Sequence, residues 1–185
     1  MNPSEFEIDS LKIDSDLNEY AKSDKSYFVA LIKQGKRPIR ATLDAELATE
    51  GINSMTFENG PSHSFGITLK DEDDEKALKS FIDMIKEDLD NAKLKKWTIT
   101  PLSKDDSRIF IKLTTDKTKK RIITRSNLKL DPKKIEELDV YRGQGVTVSV
   151  DVGVWYNFKT TTAGLFLKPT RVDFEQDEPA PKKRK

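Results

Sequence analysis

Arg108, Phe110 and Lys112 alternate with Ile109, Ile111 and Leu113, so an extended chain puts a ring between two cations on one face and three aliphatic side chains on the other. That trio has a definite chemical capacity. A flat ring accepts a nucleic-acid base by stacking, while cations on either side meet phosphates. The same residues also fit a plainer role, in which Phe110 packs beneath a helix and the two cations reach around it to water. Trp97, preceded by Lys95 and Lys96, and Trp155, followed by Tyr156 and Lys159, offer further rings beside cations. Between them, Lys119, Lys120, Arg121 and Arg125 form a densely basic segment that a polyanion would hold compact, although charge runs are often only solvated surface.

Other chemistries find less support. With no cysteine, the chain has no disulfide, thiolate nucleophile or Cys-based zinc site. The single histidine, His63, stands beside a turn-forming cluster and is expected on a surface loop rather than as a base or ligand. Asp71 to Glu75 could be imagined as a metal site of a nuclease, but carboxylates at a helix start are favoured by capping and by the macrodipole. Capping is the stronger reading, because no second ligand cluster accompanies them. No phosphate-cradling or dinucleotide-binding glycine loop occurs. Neither catalysis nor a cofactor is therefore expected.

The net charge of +1 conceals strong segregation. Residues 1–24 hold two cations against seven anions, and residues 25–42 hold five cations and no anion. From Lys70 to Asp90 there are nine anions against four cations, whereas Lys93 to Lys129 has twelve cations against three anions. A protein with a positive face follows, despite the neutral total. With 35% hydrophobic and 35% charged residues, no membrane-length apolar run and no secretory leader at the N-terminus, an intracellular setting without a membrane partner is the default expectation.

The elements that must position these residues begin with residues 145–174. Val146, Val148, Val150, Val152 and Val154 line one side of a long strand, leaving Thr147, Ser149, Asp151, Gly153 and Trp155 on the other. A bulge at Gly153 would instead return the indole to the core. A Thr-rich link leads into Leu165 to Val172, completing a long hairpin. Strands are also expected at Tyr27–Lys33, at Ile39–Leu47, and in a hairpin of residues 52–57 with 65–69. Leu78, Phe81, Ile82, Ile85, Leu89 and Ala92 make one helical stripe within residues 70–95, and Asp131-Pro132 reads as the start of a short second helix. The whole is read as α+β, mainly β: an OB-like, partly open antiparallel barrel with one long helix. An acidic arm (residues 1–24), one domain (25–174) and a tail (175–185) are expected, with Phe6, Ile8, Leu11 and Ile13 of the arm able to dock as a short strand. A flat α+β sheet is the rival.

The hairpin pattern is a glycine, a valine-rich strand ending in Trp155-Tyr156-Asn157, a Thr/Lys link, Gly164, and a second strand carrying Lys168-Pro169-Thr170-Arg171-Val172. It resembles the C-terminal part of viral single-stranded DNA-binding proteins, the oligonucleotide-binding-fold replication proteins of phages of the T7 type and of large eukaryotic DNA viruses. The resemblance spans mainly residues 108–174 and has no diagnostic motif. It implies sequence-independent, non-catalytic binding of exposed strands during DNA replication, recombination or repair, with Trp155, Tyr156 and Lys159 as contacts. Implied partners are single-stranded DNA (RNA remaining open) and replication proteins, while the sequence leaves open whether the chain forms a homo-oligomer. Phage members end in an acidic tail, whereas this chain closes with Lys182, Lys183, Arg184 and Lys185, a cluster that resembles a nuclear localisation signal read by an import receptor and that would alternatively add phosphate affinity. Its expected location is a host nucleus or a cytoplasmic viral replication site. A non-catalytic protein-interaction or scaffold subunit is the alternative.

Overall fold

The computed structural model describes residues 11–13, 26–57, 60–94, 96–102, 108–114, 122–125, 128–130 and 138–175. Twelve strands and one helix lie within them. In chain order they are β1 (Leu11–Ile13), β2 (Tyr27–Gln34), β3 (Arg37–Pro38), β4 (Arg40–Leu47), β5 (Asn53–Phe57), β6 (Gly60–Leu69), α1 (Glu72–Asn91), β7 (Thr98–Ile99), β8 (Arg108–Thr114), β9 (Ile122–Arg125), β10 (Leu128–Leu130), β11 (Gly145–Asn157) and β12 (Thr162–Phe174).

β11 is the axis of the sheet. All five of its alternating valines are fully buried, and Tyr156 continues their face. One edge of β11 pairs with β12 along its whole length. The other edge pairs first with Tyr27–Leu31 of β2 and then with Arg40–Glu46 of β4, both antiparallel. The sheet continues from β4 to β6, and β6 also pairs with β8. β8 approaches β12 without pairing to it, which curls the sheet toward a partly open barrel. This is the mainly antiparallel OB-like α+β arrangement expected from the strand and helix patterns.

The register of β11 against β12 shifts between Ser149 and Val150. Ser149 faces Arg171 and Val150 faces Pro169, so the extra residue is Thr170, on the partner strand. A bulge there leaves the two-residue period of β11 intact, and Trp155 stays on the face opposite the valines. Proline tolerates this position because the bulge interrupts the ladder it could not join. Gly153 marks close approach rather than a bulge: a Cβ on it would lie 2.5 Å from the carbonyl oxygen of Ala30.

α1 covers the core with Ala77, Leu78, Phe81, Ile85 and Leu89, with Ile82 at the margin. The Asp71 carboxylate caps it by accepting from the Asp73 amide at 2.8 Å. A second tie comes from Tyr156, whose hydroxyl donates to the Asp88 carboxylate at 2.7 Å. His63 departs from expectation. β6 begins at Gly60, so His63 already belongs to the strand, and it shares its buried inner face with Phe65 and Ile67. Residues 131–137, where the short second helix was expected, lie outside the described residues, as do the tail residues 176–185.

Candidate nucleic-acid interface

The outer face of the β2–β11–β12 unit carries residues that pairing, rather than sequence proximity, brings together. Trp155 lies between Val29 of β2 and Gly164 of β12, and Gly153 lies between Leu31 and Phe166. Tyr27 is diagonal to Trp155, opposite Asn157. The Tyr27 and Trp155 rings stack with centroids 6.1 Å apart and planes 19° apart. Tyr27 is 55% exposed, Val29 41% and Phe166 38%, whereas the indole is half-buried. Such a contiguous apolar and aromatic surface is unusual on a strand face turned to water.

Two glycines keep this face low. A Cβ on Gly164 would sit 2.8 Å from Nε1 of Trp155, so the indole lies directly over the bare backbone of β12. In the next row Gly153 also lacks a side chain, and the Leu31 side chain comes within 3.2 Å of where its Cβ would stand. Partial burial pushes the Tyr27 phenol above its ordinary pKa.

Cations stand at both ends of this platform. Lys159 is exposed in the hairpin turn, where the Asn157 side-chain oxygen accepts from the amides of Lys159 at 3.0 Å and Thr160 at 3.3 Å. Lys96 is exposed two residues before Thr98, which pairs with Thr162 next to that turn. At the opposite end, Lys168 is paired in register with Asp151. Among the described residues, Lys96, Lys159 and Lys168 make no ion pair. Arg40 differs, since its guanidinium meets both carboxylate oxygens of the buried Asp151, at 2.9 and 3.3 Å.

The expected site residues therefore divide. Trp155 and Lys159 lie on or beside the platform. Tyr156 does not: it is fully buried, stacks on Phe28 and bonds to Asp88, because the period that turns Trp155 outward turns its neighbour inward. Trp97 also belongs to the inner side, where its ring meets Tyr156 and Phe158 edge-on at 6.1 and 5.2 Å. Arg108, Phe110 and Lys112 occupy backbone positions of β8 opposite Thr68, Gly66 and Ser64, with β6 and β4 between that strand and β11. Ile109 and Ile111 beside them are buried as expected. The side chains of Arg108, Phe110 and Lys112 are outside the described part of the structure. Arg125 is placed by backbone opposite Phe174, at the end of β12 remote from the platform. Lys95, Lys119, Lys120, Arg121 and Lys182 to Lys185 lie outside the described residues. The basic segment is thus not shown as a single track.

Tyr27, Val29 and Phe166 escape a reading of the sequence alone. Residues 27–32 are apolar on both strand faces, so period two cannot say which face is wet. The signal that could have found them is Gly164, a small residue in an otherwise bulky strand opposite a tryptophan. Among the described residues, Asp71 to Glu75 included, no group of three or more His, Cys, Asp or Glu side chains is placed to hold an ion, and the Asp71 carboxylate serves as a helix cap.

No protein-family model matches the chain, and no curated protein matches it in sequence. Its fold resembles phage single-stranded DNA-binding proteins. The C-terminally truncated single-stranded DNA-binding protein from bacteriophage Enc34 is 18% identical over 85% of this chain and 94% of that one, with a TM-score of 0.48. The Enc34 protein in complex with ssDNA is 16% identical over 86% and 96%, also at 0.48. For gp2.5, a single-stranded DNA binding protein encoded by bacteriophage T7, the identity is 12% over 78% and 90%, at 0.47. At such low identity and with these modest scores, the likeness does not assign a function to this chain.

Proposed function

We propose that the protein binds single-stranded DNA without sequence preference and without catalysis, laying bases on the Tyr27–Trp155 platform. The observation that carries this reading is the stacked pair of the exposed Tyr27 ring and the half-buried Trp155 indole, the latter lying over Gly164, with cations at either end that make no ion pair among the described residues. Every base has a π face, so a stacking platform is indifferent to sequence, and lysines beside it meet a backbone that is the same at every step. The reading extends to a role in replication, recombination or repair of viral DNA, by one OB-like domain of residues 25–174. The basic cluster Lys182–Lys185 would serve as an import signal in a nuclear setting.

Titration with oligothymidylates of increasing length at two salt concentrations tests this. Binding should saturate at a definite nucleotide count and weaken with salt, with a slope of about −0.7 for each phosphate neutralised. Absence of binding even at low salt would discard the reading in favour of a protein-interaction subunit, identified by pull-down.

A further inference from the structure

β2 does not run straight into β4. Between Leu31, paired to Gly153, and Arg40, paired to Asp151, the chain leaves the sheet and returns, making a finger of residues 32–39. Its arms pair through Lys33 with Pro38 and Gln34 with Arg37, and the turn is Gly35-Lys36. Gly35 has φ +61°, so the left-handed residue falls at the first central position of a two-residue hairpin turn, where glycine is the natural occupant. Leu11–Ile13 adds a third strand along the other edge of the finger.

The base of this finger is firmly held. Ile32 and Ile39 are both buried in the core, the Ile39 amide donates to the Ile32 carbonyl at 2.9 Å, and the Val152 amide donates to the Ile39 carbonyl at 3.0 Å. Its far end is the reverse: Gln34, Gly35, Lys36, Arg37 and Pro38 are all exposed. Lys36 and Arg37 have no ion pair among the described residues, and the sequence from Lys25 to Thr42 contains no anion. The finger leaves β11 beside the Leu31–Gly153–Phe166 row, only about 7 Å along the strand from Trp155. A rigidly based, cationic hairpin at the margin of an aromatic platform has the form of a backbone clamp.

We infer that this finger is a second contact element, in which Lys36 and Arg37 meet phosphates of the DNA strand whose bases occupy the platform. The inference rests on the proposed function and adds a phosphate site outside the basic segment of residues 93–129. The guanidinium at its tip supplies a planar, permanently charged donor fork, and the neighbouring ammonium a mobile point charge.

The test compares the full-length protein with the double substitution Lys36→Gln/Arg37→Gln, with Lys36→Arg/Arg37→Lys, and with Lys79→Gln on the exposed face of α1. Binding to oligothymidylate is measured across a salt series. The charge-removing pair should flatten the salt slope by about 1.4, about 0.7 for each phosphate no longer neutralised, while the charge-preserving pair and Lys79→Gln leave it near the wild-type value. Thermal unfolding should be unchanged by all three, since the substituted side chains are exposed. If wild-type protein binds but the charge-removing pair keeps the full slope, or Lys79→Gln flattens it equally, the finger does not meet phosphates and the platform reading stands. If wild-type protein does not bind at all, both fall.

Discussion

Replacing Tyr27 with Ala separates a binding surface from a packing surface. The ring is 55% exposed and its main partner is the Trp155 indole, 6.1 Å away. An aromatic pair contributes about 0.5–1.5 kcal/mol beyond buried area, and so much exposure puts this one toward the lower end. In a chain of 185 residues, a loss of about 1 kcal/mol lowers Tm by about 2–4 °C. Binding should suffer more. A base stacked on the ring is worth about 1–3 kcal/mol, so Kd should rise by about five- to 150-fold. Anisotropy of a labelled oligothymidylate reads Kd independently of tryptophan emission, and calorimetry reads Tm. An unchanged Kd would refute the stacking role of Tyr27, and a drop in Tm of tens of degrees would show the ring to be structural instead.

Two further substitutions probe the two faces of β11. Gly164→Ala places a methyl under the indole and must lift it; binding should weaken and Trp155 emission shift, with a stability loss of about 1 kcal/mol or more from overpacking, and an unaltered spectrum would contradict the flat-floor geometry. Tyr156→Phe removes the hydroxyl that donates to Asp88 and should cost about 1–3 kcal/mol in unfolding free energy while leaving Kd untouched; a selective loss of binding would return Tyr156 to the interface.

What could be read from the sequence was whatever is settled locally. Five valines at period two specify a strand and its inner face without reference to a partner, and the Leu78–Leu89 stripe does the same for α1. The outward placement of Trp155 follows from the same period, provided that the extra residue falls on β12; only the pairing of Ser149 with Arg171 and Val150 with Pro169 decides that. Tyr156 faces the core by the same local period that turns Trp155 outward, so its burial was legible in the sequence; Trp97, by contrast, looks like a ring in a basic loop until Tyr156 and Phe158 are seen against it. His63 lies three residues inside a strand that already begins at Gly60, within the turn-forming cluster itself. Tyr27 and Phe166, 139 positions apart, meet the same platform only through the register of three strands.

The chain has two tryptophans on opposite sides of β11, which allows the platform to be tested with single-tryptophan proteins. In Trp97→Phe protein the sole indole is Trp155, and its fluorescence should be quenched strongly as oligothymidylate saturates the site. Trp155→Phe protein retains only the inner Trp97 and should bind more weakly with little quenching. Strong quenching of Trp97 together with an unresponsive Trp155 would place the bases on the other side of the sheet and contradict the platform.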